Sequence, residues 1–346
     1  MARRRPTNKR KAGRTGGKLL FVLLVLALAA AGAAAWLVFT PYGPSTETFV
    51  DLNPGSSTQT IGRALEQAGV VQSRYAFDLL RLFKRGTLRA GEYRFDHPAA
   101  AVEVYARIAR GDIYTRALTI PEGSNIFDIA TRVEQNGFAS KQDFLDAVVD
   151  QTHLISDIDP GAKSLEGYLF PDTYRFARKV RPEQIVGAMV RRFRAVAAQL
   201  GLKNNFHRVV TVASLVERET AVDTERPLVA SVFENRLHQD MPLMTDPAVI
   251  YGLELDGKWR GTIYQSDLKR DTAYNTYLYA GLPPGPIANP GIPSLRAAMN
   301  PATTNYLYFV AAGADAQGHS AFAATLDEHN REVASYRRAV KKAGGK

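Results

Sequence analysis

Leu19 to Phe39 is a run of 21 apolar or small residues without a charge, and it limits what this chain can fold into more than any other feature. As a helix, about 20 such residues cross the hydrocarbon core of a bilayer. The 18 residues before the run hold eight basic side chains and no acidic one. Such a flank stays cytoplasmic, which predicts a single-pass signal anchor with everything after Pro41 on the extracytoplasmic side. A cleaved signal peptide is the rival, with Ala33-Ala34-Ala35 as a cleavage site. The run, however, exceeds the roughly 7–15 residues of a signal core, and no polar stretch precedes a cut. A buried core helix does not fit flanks so lopsided.

The net charge of +10 is concentrated in that tail, and the rest of the chain carries 36 basic against 34 acidic residues. The basicity therefore marks no nucleic-acid face. The absence of cysteine excludes a disulfide scaffold, a zinc–thiolate site and a thiol nucleophile. With 45 % hydrophobic and 23 % charged residues, the chain is not disordered throughout. No phosphate loop, G-x-G-x-x-G, H-E-x-x-H or G-x-S-x-G sequence is present, and the six histidines show no metal spacing. An extracytoplasmic enzyme or binding protein without nucleotide, metal or cofactor is the expectation.

Beyond a linker at 40–46, two segments align with an offset of 68 residues. Gly55, Ser56, Ile61, Glu66, Gln67 and Gly69 match Gly123, Ser124, Ile129, Glu134, Gln135 and Gly137. Each copy predicts a strand (Thr48–Leu52; Ala117–Ile120), a Gly turn with a capping Ser, and a first helix. A second helix follows from Ser73 or Ser140, and a strand closes each copy (Gly91–Phe95; Gly167–Phe170). This order, and the Gly-Ser-x-x-x-x-Ile pattern, resemble LysM modules, which bind N-acetylglucosamine chains. Scaffolding units without a ligand would read the same way.

The polar clusters that can carry chemistry follow residue 160. Val209–Thr220 predicts a helix with Val209, Val212, Ala213 and Val216 on one face, and it ends in Glu217-Arg218-Glu219. At about 100° per residue the two glutamates point roughly 160° apart, so one cleft can hold only one of them. Glu219 lies above Val212, Leu215 and Val216; Glu217 lies above Val210, Ala213 and Ser214. The more apolar surroundings of Glu219 favour a raised pKa, which a general acid at neutral pH needs. Surface glutamates paired with Arg218 or Arg226 are the bland alternative. A further helix, Arg226–Leu237, reads as structural, with Asn235 and Arg236 as caps or ligands. Thr245-Asp246-Pro247 reads as a turn. Tyr251, Trp259, Tyr264, Tyr274, Tyr277, Tyr279, Tyr306 and Tyr308 crowd into 58 residues and suit either a sugar chain or core packing. Tyr306–Val310 reads as a strand; His319 and His329 could polarise a substrate, but surface side chains are the better reading.

Several ordered stretches resemble the endolytic murein transglycosylases of the YceG-like family. They are Ala213–Thr220, Leu165–Tyr174, Thr245–Pro247, Ala273–Tyr277 with Gly281–Gly285, Asn300-Pro301 before Tyr306–Val310, and His329-Asn330. The resemblance spans about residues 47–335. It implies cleavage of the β-1,4 bond between N-acetylmuramic acid and N-acetylglucosamine within nascent peptidoglycan strands, ending strand elongation and leaving 1,6-anhydromuramic ends. It places the catalytic glutamate at Glu219, with Glu217 as the alternative. Glu166, Asp246, Tyr274, Asn275 and Tyr277 become the expected sugar-contacting residues. The chain departs from the family pattern at Met244, where Gln is common, and at Ala248, where Thr is common. Its Gly318–Phe322 stretch is also one residue longer, which weakens the case for His319.

The expected architecture is α+β: a cytoplasmic tail (1–18), a transmembrane anchor (19–39), a linker, a LysM-like repeat region (47–160) and an α+β catalytic domain (161–340). The partners implied are peptidoglycan strands, the membrane and peptidoglycan synthases, with no nucleic acid. A lysozyme-type hydrolase and a non-enzymatic glycan-binding scaffold are the alternatives.

Overall fold

A computed structural model describes residues 14–84, 86–313 and 318–343; most of the basic tail lies outside them. The chain divides into two compact units, the first ending at Thr115 and the second beginning at Arg116.

The first unit opens with helix α1 (Arg14–Phe39), whose Gly17–Phe39 portion is long and apolar enough to cross a membrane. Strand β1 (Thr48–Leu52), helices α2 (Thr58–Gln67) and α3 (Arg74–Phe83), strand β2 (Gly91–Phe95) and helix α4 (Ala101–Arg110) follow. β1 and β2 pair antiparallel, with Thr48 opposite Phe95 and Leu52 opposite Gly91. The helices bury Ile61, Leu65, Phe77, Leu80, Val104 and Ile108 against Val50, Tyr93 and Phe95, and Val38 at the end of α1 joins the same core.

The second unit repeats the pattern and then extends it. Strand β3 (Arg116–Thr119), helices α5 (Ile126–Gln135) and α6 (Lys141–Asp150), and strand β4 (Thr173–Phe176) form the second strand–helix–helix–strand copy. The expected closing strand at Gly167–Phe170 is instead a buried turn. Leu165, Tyr168, Leu169 and Phe170 are all buried, which leaves no solvent face for an alternating strand, and Gly167 adopts φ +85°. The helix caps also sit one residue later than the Gly-Ser motif suggests. Ser57 accepts from Thr60 N and Asn125 from Phe127 N and Asp128 N, while Ser124 donates to the Pro121 carbonyl.

Helices α7 (Pro182–Leu200), α8 (Phe206–Glu219), α9 (Arg226–His238), α10 (Asp246–Leu255) and α11 (Ile292–Met299) build the rest of this unit. A hairpin of β5 (Tyr308–Ala311) and β6 (Ser320–Ala323) and helix α12 (Leu326–Ala343) complete it. Thr245-Asp246-Pro247 is thus a helix start, since Pro tolerates the first turn and Asp complements its dipole. α8 is the shared wall of two cores. Val210 and Ala213 belong to the core that residues of α5, α6 and α7 also build, and Val212, Leu215 and Val216 to the core with α9 and α10. α11 packs along α8, with Leu295 in the first core and Ala297 in the second. The second repeat copy therefore shares its core with the helices that carry the polar clusters.

A Cβ at Gly167 would lie 2.6 Å from atoms of both Pro286 and Val210. Gly167→Ala should therefore cost about 2–4 kcal/mol through positive-φ strain and overpacking, read by urea unfolding. A loss within ±0.5 kcal/mol would show that the turn is not held as described.

Candidate active site

α8 ends at Thr220, whose extended backbone releases the chain, and Glu219 is its last residue. Glu219 lines a cavity of about 410 Å³. α9 contributes Val232, Phe233 and Arg236 to the wall; the α9–α10 connection and the start of α10 contribute Leu243, Met244 and Asp246. Tyr277, Tyr308, Phe309, Leu326 and His329 close it. Two carboxyls, Glu219 and Asp246, therefore share a pocket whose wall mixes apolar and aromatic side chains with polar ones.

Burial is the main force on Glu219 and pushes its carboxyl up, with Asp246 adding to the rise; the Thr245 hydroxyl and the Arg236 and Arg218 guanidinium groups oppose it. That hydroxyl acts by proximity, because it is buried without a well-formed hydrogen bond. Glu217 has the other fate. It forms an ion pair with Arg226 at 3.0 Å, both side chains 5 % exposed, and accepts from Gly291 N at 2.9 Å. The helical phase that separates the glutamates thus gives one to a cavity and the other to a buried clasp.

Arg236 holds the cavity together. Its Nε donates to the Leu307 carbonyl at 2.7 Å, and its Nη1 donates to the carbonyls of Pro242 and Leu243 at 3.2 and 2.9 Å. Its guanidinium lies 5.2 Å from the Tyr308 ring centroid. Asn235 donates to the carbonyls of Thr304 and Tyr306. Neither side chain caps its own helix; both fasten the approach to β5. His329 stacks on Tyr308 at 5.2 Å, and burial and Arg236 pull its pKa down. It is a wall residue, not the surface histidine expected. His319 instead pairs with Glu225 at 2.8 Å, away from the cavity wall. Among the described residues, the buried side-chain polar atoms without a hydrogen-bond partner are Thr245 Oγ1 and His329 Nδ1. His329 lines this cavity, and Thr245 lies beside it, between the wall residues Met244 and Asp246.

Of the five residues expected to contact sugar, the structure brings two to Glu219: Asp246, and Tyr277, whose hydroxyl donates to Asp246 at 2.6 Å. Asn275 is fully buried; its Nδ2 donates to the carbonyls of Leu268 and Arg270, and its Oδ1 accepts from Tyr277 N. It shapes the loop that presents Tyr277. Glu166 and Tyr274 line a separate cavity of about 60 Å³ with Asp159 and His207. Burial pushes Glu166 up to about 8, against donors that include Ile126 N, Tyr251 and Gly167 N. Its Oε1 also takes a 2.8 Å bond from Asn289, which in turn accepts from Leu169 N and donates to the Ser124 carbonyl. Glu166 therefore ties together the repeat, the Leu165–Phe170 turn and the Asn289 loop. Burial and Glu166 push Tyr274 up to about 12, and its ring packs edge-on against Tyr251 at 5.0 Å. Spacing pointed to Glu219; Arg236, which reads in sequence as a cap or ligand, and His329, from one of the family-like stretches, are brought to the same cavity by the loop–helix contacts.

Residues 50–335 match the YceG-like family. The chain belongs to the YceG-like family. A Bacillus subtilis (strain 168) member, named endolytic murein transglycosylase, is 33 % identical over 319 residues, covering 86 % of this chain and 87 % of that protein. A Streptococcus pneumoniae (strain D39) protein of the same name is 31 % identical over 323 residues, covering 83 % of this chain and 58 % of its own length. A crystal structure of a putative YceG-like protein from Listeria monocytogenes superposes with TM-score 0.54 at 33 % identity, over 83 % of this chain and 99 % of that one.

Glu166→Ala would leave buried donors without an acceptor and should lower stability by about 3 kcal/mol or more in chemical denaturation. An unchanged midpoint with weakened glycan binding would instead make Glu166 a sugar contact.

Proposed function

We propose that this chain is an endolytic peptidoglycan lytic transglycosylase, anchored by α1 and acting on the extracytoplasmic side on nascent strands beside the synthases. The observation that carries the reading is Glu219, a carboxyl pushed toward its protonated form by burial and presented without an ion pair to a 410 Å³ cavity that it shares with Asp246. Family membership, with relatives named endolytic murein transglycosylase, supplies the substrate class.

Glu219 donates its proton to the glycosidic oxygen between N-acetylmuramic acid and N-acetylglucosamine as the C1–O bond breaks. The muramic C6 hydroxyl attacks C1, forming the 1,6-anhydro bond, and its proton passes to the Glu219 carboxylate. The acid is thereby regenerated and no water is consumed. One carboxyl can therefore do what an ordinary glycosidase divides between two. Asp246 faces the oxocarbenium-like charge, with Tyr277 fixing its orientation. Thr245 and His329 offer partners to sugar hydroxyl or acetamido groups. Glu166, Tyr274 and Asn275 act through the loops they hold.

One observation favours a second reading. Asp246 is a second carboxylate on the same cavity wall, and with a water beside it the site would work as a lysozyme-type hydrolase. In the first unit, and at the start of the second, the strand–helix–helix–strand copies serve as LysM-like units that hold the strand.

Glu219→Gln should reduce turnover of purified peptidoglycan by about 10²–10⁴-fold or more while leaving the unfolding midpoint in place. Because the reaction needs the protonated acid and burial raises its pKa, kcat/KM should fall as pH rises through that raised value. A profile flat between about pH 4 and 9 would remove Glu219 from the acid role.

A further inference from the structure

We infer that the C-terminal end of α3, Leu82 and Phe83 between Arg81 and Lys84, rests in the lipid interface beside the anchor helix, so that the first unit lies on the membrane. The inference depends on reading α1 as a membrane anchor.

Phe83 and Leu82 are 79 % and 77 % exposed, the two most exposed large hydrophobic side chains among the described residues. Neither belongs to the buried face of α3, which is Ala76, Phe77 and Leu80. A soluble surface tolerates scattered apolar residues, but an adjacent Leu-Phe pair at a helix end, flanked by exposed basic side chains, has the composition of an interfacial contact. Apolar tips enter the acyl boundary while Arg and Lys meet anionic headgroups.

The depth of α1 sets the level of this pair. Its charge-free run, Leu19–Phe39, has 21 residues and at 1.5 Å each measures about 32 Å, against roughly 30 Å of hydrocarbon. The run therefore barely exceeds the hydrocarbon, yet Leu37 and Val38 at its end already pack into the core of the first unit. Ala34, one turn below them on the same face, is also partly covered, while most of α1 is exposed. α3 and α4 are the helices that pack against α1. The chain enters α3 beside Gly43, beyond the end of α1, where a Cβ at Gly43 would lie 3.3 Å from the Val70 carbonyl. α3, ten residues or about 15 Å long, then packs back along α1 and brings Leu82 and Phe83 toward headgroup level. Trp36, Phe39 and Tyr42, all exposed, mark the same level in the manner of an aromatic belt.

The cysteine-free chain makes the test direct. Full-length Leu26→Cys, Gln67→Cys and Phe83→Cys variants would each carry a nitroxide label in vesicles of phosphatidylglycerol and phosphatidylethanolamine. Collision rates with oxygen, which partitions into lipid, and with a water-soluble nickel chelate would be compared. Position 26 lies mid-anchor, and position 67 is an exposed control on α2. The oxygen-to-nickel ratio at position 83 should be several-fold above that at 67 and approach that at 26. A lipid-like 26 with an 83 that matches 67 overturns the inference and leaves the anchor intact. A label at 83 shielded from both reagents also overturns it, since protein then covers the patch. A water-like 26 overturns the anchor reading and the inference with it.

Discussion

The two-sided burial of α8 is the constraint on which the site depends. Val210 and Ala213 belong to the core shared with the second repeat copy and α7, and Val212, Leu215 and Val216 to the core shared with α9 and α10. A helix held on both sides cannot rotate, because a turn of even 100° would carry an apolar row out of its core. The direction in which Glu219 leaves the last turn is therefore fixed by residues that do no chemistry. The same lock sends Glu217 to Arg226 and gives the Gly291 amide its acceptor.

Around that spine the polar hubs are fully occupied away from the cavity and incompletely occupied at it. Glu166 and Asn289 join three segments distant in sequence through bonds of 2.8–2.9 Å. Ser214 on α8 donates to the Thr211 carbonyl and accepts from Ile287 N, stitching the stiff Gly281–Pro286 loop to the spine. At the cavity, Thr245 Oγ1 and His329 Nδ1 have no partner. Buried polar groups left open cost free energy, and structures keep them where a ligand completes them.

The sequence was most legible where one period or one cap decides the outcome. β1 and β2 fall on the residues their alternation predicts, and Ser73 and Ser140 cap the second helix of each repeat copy. The phase argument for Glu219 over Glu217 needed only 100° per residue and the apolar row of α8. Legibility failed where tertiary packing overrides local pattern. Gly167–Phe170 alternates too weakly to announce a turn buried on every side, and Asp246-Pro247 reads as a turn until the helix after it is seen. Polar residues were the hardest. Glu166, Asn275 and Asp246 look equally like sugar contacts in sequence, yet the first two are consumed by backbone amides and carbonyls, and of the three Asp246 shares the cavity with Glu219.

The central claim is that one acid, pushed toward its protonated form by partial burial, suffices because the sugar supplies its own nucleophile. Mass spectrometry of the glycan fragments released from purified peptidoglycan tests it most directly, with the wild-type chain and Glu219→Gln side by side. Fragments ending in 1,6-anhydro-N-acetylmuramic acid, one water lighter than reducing ends and absent with Glu219→Gln, are the predicted result. Reducing ends from the wild-type chain would contradict the account and place Asp246 and a water in the chemistry.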